Sequence, residues 1–180
     1  MKNGFADATY ARWHSLYELN IIASFISKYG EKVAESYISS RNSEDRYEWT
    51  RVCGEFNPKK KFIRFDDIKD KADFPSNLWR HQYQLANEVT HPSSQGTFNR
   101  LGTMQGEETI SVGRTNFGLT NPGEHSAITL AQLTVKFLTV HPYGDALLAT
   151  VMINKWVDVV REVYFKTHNY IFSEETKLYK

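Results

Sequence analysis

The chain has 180 residues, 41% apolar and 24% charged, a composition of folded globular protein and not of a disordered segment. Twenty-two basic against 21 acidic side chains leave a formal charge of +1, which excludes nucleic-acid binding through bulk charge. A single cysteine, Cys53, excludes an internal disulfide framework and a cysteine-rich zinc site.

Ala6–Lys28 reads as a long helix. Trp13, Leu16, Leu19, Ile22, Ala23 and Ile26 recur mostly at spacings of three and four, with Thr9 as the polar member of the stripe. Gly30 stops it. A second helix is expected over Glu31–Ser40, with Val33, Tyr37 and Ile38 as its apolar side, and Ser43 is placed to cap a third over Glu44–Val52. Gly54–Pro75 is a connector in which Lys59, Lys60, Lys61 and Arg64 precede Asp66, Asp67, Asp70 and Asp73. Near-cancelling charge implies a solvated loop with a short helix near Asp67–Lys71. A phosphate-binding patch at Lys59–Arg64 is the alternative.

Ser76 is placed to cap a helix over Asn77–Thr90, and Pro92 ends it. Residues 92–123 hold six of the ten glycines, and Thr109–Val112 and Asn116–Leu119 read as short strands of a hairpin. Asn121, Pro122 and Glu124 then form a helix start, with Asn121 as cap and Glu124 reaching back to it; this helix runs to about Val140. Pro142-Tyr143-Gly144 is a tight turn. Asp145 caps the last helix, expected to reach about Tyr164. It is apolar nearly all round as far as Asn154, so it is expected to be central or to pack on a second subunit. The fold class is all-α: a single bundle of about five or six helices over residues 1–180, with an irregular Gly-rich excursion at 92–123.

One polar constellation stands out. Arg80, Gln84, Asn87 and His91 follow one another at i, i+4, i+7 and i+11, one stripe of a helix, with Tyr83 at its flank. His91 has the chemistry of a general acid or base near neutral pH, Arg80 that of a phosphate or carboxylate ligand, and Asn87 and Tyr83 that of positioning groups. The same stripe is also what any solvated helix face shows. In the first helix Arg12 and Glu18 are charged residues within an apolar segment, and if they point inward they need partners, for which the Arg80–His91 helix is the natural source. Their alternative is a structural salt bridge or plain exposure. The pair His14 and Glu18 is too sparse for a metal site, the other histidines show no ligand spacing, and Cys53 has no histidine close in sequence. No metal and no cofactor are expected. No secretory leader is visible, and no apolar stretch approaches the roughly 20 residues of a membrane span, so a cytoplasmic protein without a membrane partner is expected.

Three segments carry a resemblance: Ala11-Arg12-Trp13-His14-Ser15-Leu16-Tyr17-Glu18, then Trp79-Arg80-His81-Gln82-Tyr83 through Asn87 to His91-Pro92-Ser93, and the stretch from Gly118 to Leu133. Together they resemble a bacterial family of unknown function numbered 5677 (DUF5677), over about residues 5 to 165. The resemblance implies a helical bundle in which the Arg/Glu helix packs beside the helix ending in His, and it implies no catalytic role. A looser likeness is to HEPN ribonucleases, helical bundles that dimerise and place an Arg and a His, close in sequence, at the cleft between subunits. Here ten residues separate Arg80 from His91, and Ala86 stands beside Asn87 where that motif has its arginine.

Three functions follow as expectations. The first is a metal-independent ribonuclease or defence effector, with His91 as acid/base, Arg12 and Arg80 on phosphate, and Glu18, Tyr83 and Asn87 holding substrate. The second is a non-catalytic module that forms a homodimer or a larger complex through the last long helix. The third is a small-ligand sensor between Arg12, Glu18 and His91. RNA is the expected partner of the first alone.

Overall fold

A computed structural model describes residues 6–72, 74, 79–91, 101–104, 107–110, 120–140 and 142–178. The fold is all-α. Among the described residues there are six α-helices: α1 (Ala6–Tyr29), α2 (Glu31–Ser39), α3 (Phe65–Lys71), α4 (Arg80–Thr90), α5 (Thr120–Val140) and α6 (Ala146–Leu178). Two short 3-10 segments, Ser40–Asn42 and Glu48–Cys53, and an antiparallel hairpin of β1 (Leu101–Met104) with β2 (Glu107–Ile110) complete the described elements. The chain divides into two compact units, Met1–Tyr17 with Arg80–Lys180, and Glu18–Trp79, so that α1 contributes to both.

The unit over Glu18–Trp79 is built round Phe25, which is fully buried. Trp49 meets it edge-on at 5.7 Å, Tyr29 lies at 4.6 Å and Phe56 at 6.0 Å between ring centroids. Ile21, Val33, Ile63 and Ile68 fill the remaining core. Gly30 separates α1 from α2 with φ +83°, a conformation that side chains with a Cβ resist. The expected helix over Glu44–Val52 is a turn followed by the 3-10 segment Glu48–Cys53. The Asp45 carboxylate accepts a hydrogen bond from the Tyr47 N–H at 3.1 Å, a local bond that competes with helix propagation, and Gly54 at φ +76° closes the segment.

The charged connector is folded back on itself. The Lys60 ammonium donates to Asp67 at 2.7 Å, and the Arg64 N–H caps α3 through the other Asp67 oxygen at 2.8 Å. Arg51 joins Glu48 to the Lys60 carbonyl. Burial pushes the Asp67 carboxyl up, but the bonds from Lys60 and Arg64, with their charges, outweigh it and hold it below its ordinary range. The basic stretch is thus partly neutralised by the acidic one that follows it.

In the other unit α5 and α6 pack antiparallel across the turn at Gly144, which has φ +54°. Thr120 Oγ1 lies 3.1 Å from His168 Nδ1, and Arg161 donates to Glu124 at 3.0 Å. Buried Gly123 lets the Tyr164 ring lie close: a Cβ there would come within 2.7 Å of it. α5 starts at Thr120, so Asn121 is inside the first turn and not its cap; Pro122 is tolerated there because first-turn N–H groups have no helical acceptor. α6 continues to Leu178, well past Tyr164. No Gly or Pro follows Asp145, so nothing in the backbone ends the helix earlier. The expected strand Thr109–Val112 overlaps β2, whose partner is the preceding segment Leu101–Met104. The expected strand Asn116–Leu119, the Ser76 cap, the start of its helix at Asn77 and most of the Gly-rich excursion lie outside the described residues.

The buried face of α1 is turned relative to the expected stripe. Tyr10, Trp13, Tyr17, Ile21 and Phe25 are buried, with His14, Asn20 and Ser24 among them, whereas Leu19 is exposed. Apolar residues cover most of this helix, and the larger aromatic side chains take the interior. No helix among the described residues is long and apolar enough to cross a membrane.

Candidate functional site

Two features of the unit formed by 1–17 and 80–180 are candidates, a histidine cluster and an apolar groove. The cluster starts from spacing. Trp13, His14 and Tyr17 share one face of α1, and Tyr83, Asn87 and His91 follow at i, i+4 and i+8 on α4. Trp13 is fully buried, and its indole N–H donates to Thr129 Oγ1 of α5 at 3.1 Å. His14 is held between the helices. Its Nε2 lies 2.8 Å from Asn87 Oδ1, which has only lone pairs to offer, so the proton of this bond is on the histidine. The His14 ring stacks on Tyr83 at 4.9 Å with planes 12° apart, and His91 meets it edge-on at 6.3 Å. Tyr17 lies 4.7 Å from Tyr83 and 5.5 Å from Trp13. The result is a stack of rings with one buried imidazole, His14, and one exposed imidazole, His91.

The structure brings Tyr83, Asn87 and His91 together round His14. Arg12 and Arg80 are exposed, and so is Gln84 of the polar stripe. Glu18 belongs to the other unit, where its carboxylate accepts from Arg46 at 2.9 Å. His14 takes the place at Asn87 that the sequence leaves unassigned. The available signal was its position on α1, one residue from Trp13 and three from Tyr17. No group of three or more His, Cys, Asp or Glu among the described residues is arranged to hold a metal ion.

His125 of α5 adjoins the cluster, with its ring 5.2 Å from Trp13. Burial lowers its pKa from 6.5 to about 4, against the opposing charge of Glu124. It is therefore neutral at pH 7.

The apolar groove lies along α6. Its volume is about 510 Å³, and it is floored by Gly123, Ala127 and Leu130 of α5 and walled by Trp156, Val159 and Val163 of α6. Two stripes run along α6. Ile153, Val157, Val160 and Tyr164 are half-buried. Met152, Trp156, Val159, Val163 and Tyr170 are 62, 48, 58, 56 and 67% exposed. The second stripe advances by 4, 3, 4 and 7 residues, the seven-residue period by which one helix packs along another. Comparison of the chain with protein-family models, curated proteins and solved structures finds no match in any of the three.

The His125 geometry has a pH consequence. Its folded pKa lies below the unfolded value, so the unfolded chain binds more protons between pH 6.5 and about 4. Stability that is complete above pH 6.5 is lost as the pH falls toward 4. Between pH 7 and 5 the loss from this one group is on the order of 2 kcal/mol. Urea unfolding midpoints at both pH values measure it, and His125→Gln is expected to remove that part of the acid sensitivity. An equal loss in both proteins would contradict the assignment.

Proposed function

We propose that the protein is a helical assembly module that holds another helix along the exposed stripe of α6. The carrying observation is the run Met152, Trp156, Val159, Val163 and Tyr170, solvent-exposed at heptad spacing beside an apolar groove. Large contiguous apolar surface is uncommon on a monomer and marks an interaction site. A seven-residue period suits a helix as the covering element, because only a helix meets those positions turn after turn. Trp156 lies at the groove and is the natural anchor. Burying this stripe against a helix also releases ordered water at about 25 cal/mol per Å² of apolar surface, which a small polar ligand cannot match.

The test is a titration of the protein, at high dilution, into a labelled synthetic amphipathic helix with leucine at the first and fourth heptad positions, followed by fluorescence anisotropy. Saturable binding is expected, weakened at least about tenfold by Val159→Glu, since that change buries an unpaired carboxylate in the interface. Val159 is exposed in the chain itself, so the variant should keep its circular dichroism and thermal midpoint. Absent binding, or equal binding by the variant, would refute the module.

A second reading rests on the contact of His14 with Asn87 and His91. In a metal-independent ribonuclease, His91 takes the proton of a ribose 2′-hydroxyl, whose oxygen bonds to the adjacent phosphorus as the P–O5′ bond breaks and the 5′-oxygen takes a proton from water; His14 and Asn87 orient His91, Tyr83 stacks on a base, and Arg12 and Arg80 neutralise phosphate. Two exposed arginines and a near-zero total charge support it less strongly than the α6 stripe supports assembly. Incubation with a short labelled RNA in EDTA decides it. The reading predicts cleavage that His91→Ala lowers by about 100-fold or more. RNA left intact by the wild-type protein would exclude it.

A further inference from the structure

The stripe on α6 has a charge pattern that selects its partner. On the reading of α6 as a helix-binding surface, we propose that the helix it takes is α6 of a second copy of this chain, running antiparallel about a two-fold axis that passes between Val157 and Asp158.

The argument is one of register. With Trp156 and Val163 as first heptad positions, Met152 and Val159 are fourth positions. In an antiparallel pair each first position packs in a layer with a fourth position of the other helix. An axis between Val157 and Asp158 does this for all four at once: Trp156 meets the second copy's Val159, and Met152 meets its Val163. The same axis sets Lys166, the one charged residue on the stripe, against the second copy's Ala149, where a small side chain leaves room for the lysine stem.

The flanking charges agree. Lys155 and Glu162 hold the seventh heptad position, and antiparallel helices bring seventh positions together across the seam. Lys155 of each copy then faces Glu162 of the other, twice by symmetry. Parallel helices would instead set seventh against fifth positions, pairing Lys155 with Val160 and Glu162 with Thr167, with no charge complement. Glu162 is bonded at 2.6 Å to Lys166 within its own chain, and both are exposed, so the carboxylate remains accessible to a second cation. The surface is thus complementary to itself, as a two-fold interface requires. Trp156, Val159 and Val163 line the groove as well, so the second helix would also close it, against exposed Leu130.

The test combines mass and cross-linking. Sedimentation of the purified full chain is expected to give twice 20.9 kDa, and Val159→Glu to give the monomer with its helix content intact. In a Cys53→Ser background, chains carrying Met152→Cys and chains carrying Val163→Cys, one of them tagged, are mixed and oxidised. A disulfide between the two kinds of chain is expected, and none within either kind alone, because a disulfide cannot join Cα atoms more than about 7 Å apart. Lys155→Glu should weaken the dimer, and the double change Lys155→Glu with Glu162→Lys should restore it. A dimer in which each cysteine variant cross-links to itself would overturn the antiparallel pairing. A chain that stays monomeric at all concentrations would overturn the second copy as partner. That failure is separable from failure of the module, since a monomer that still binds the synthetic helix retains the stripe's function, and one that does not loses both.

Discussion

The constraint on which this unit depends is that α6 has two apolar faces while α5 covers one of them. The face with Val160 and Tyr164 is settled by packing, with Gly123 allowing the Tyr164 ring to approach the α5 backbone. The face with Trp156, Val159 and Val163 remains in water. Apolar residues spread singly over a surface need no explanation, but a stripe that keeps heptad spacing over Met152–Tyr170 does. A solvated helix face ordinarily carries charge at these positions, and here Lys166 is the charged exception.

The histidine cluster depends on a different anchor. Trp13 joins α1 to α5 through Thr129 and holds the ring stack from which His14 reaches Asn87. His125 is packed against the same indole, so a single aromatic side chain supports both the neutral buried histidine and the amide-bonded one. Such a stack is buried at its base, at Trp13, and open to solvent at His91. It has the geometry of a small polar site and also that of a satisfied core junction between helices, and the cleavage of RNA separates the two.

Much of the helix order was legible because its punctuation is local. Gly30 at positive φ and the turn at Gly144 stand where the sequence places breaks. The short helix expected near Asp67–Lys71 in the charged connector is present as Phe65–Lys71. Where the structure differs from the pattern, the causes are effects that periodicity does not carry. The Asp45 side chain diverts the chain into a turn before Glu48. α1 has enough apolar residues to present more than one stripe, and the volume of Trp13, Tyr17 and Phe25 decides which is buried. For the cluster, Tyr83, Asn87 and His91 could be read from helix spacing, but the His14 bond joins residues 73 apart in sequence, and no local rule pairs them. The bond from Arg46 to Glu18 likewise joins residues 28 apart, the cation standing in a turn, and the structural salt bridge among the alternatives for Glu18 is the one seen here. The apolar character of α6 was visible from composition alone, whereas the division into a covered and an exposed face needed the placement of α5.

The central claim, that the exposed stripe of α6 is a helix-binding surface which the chain satisfies by association, is tested most directly by amide hydrogen exchange along α6 at several protein concentrations. The account predicts that protection over residues 149–166 rises with concentration, while protection of α1 and α5 around Trp13 and Thr129 stays constant. Exchange along α6 that is independent of concentration, from dilute to concentrated protein, would contradict it.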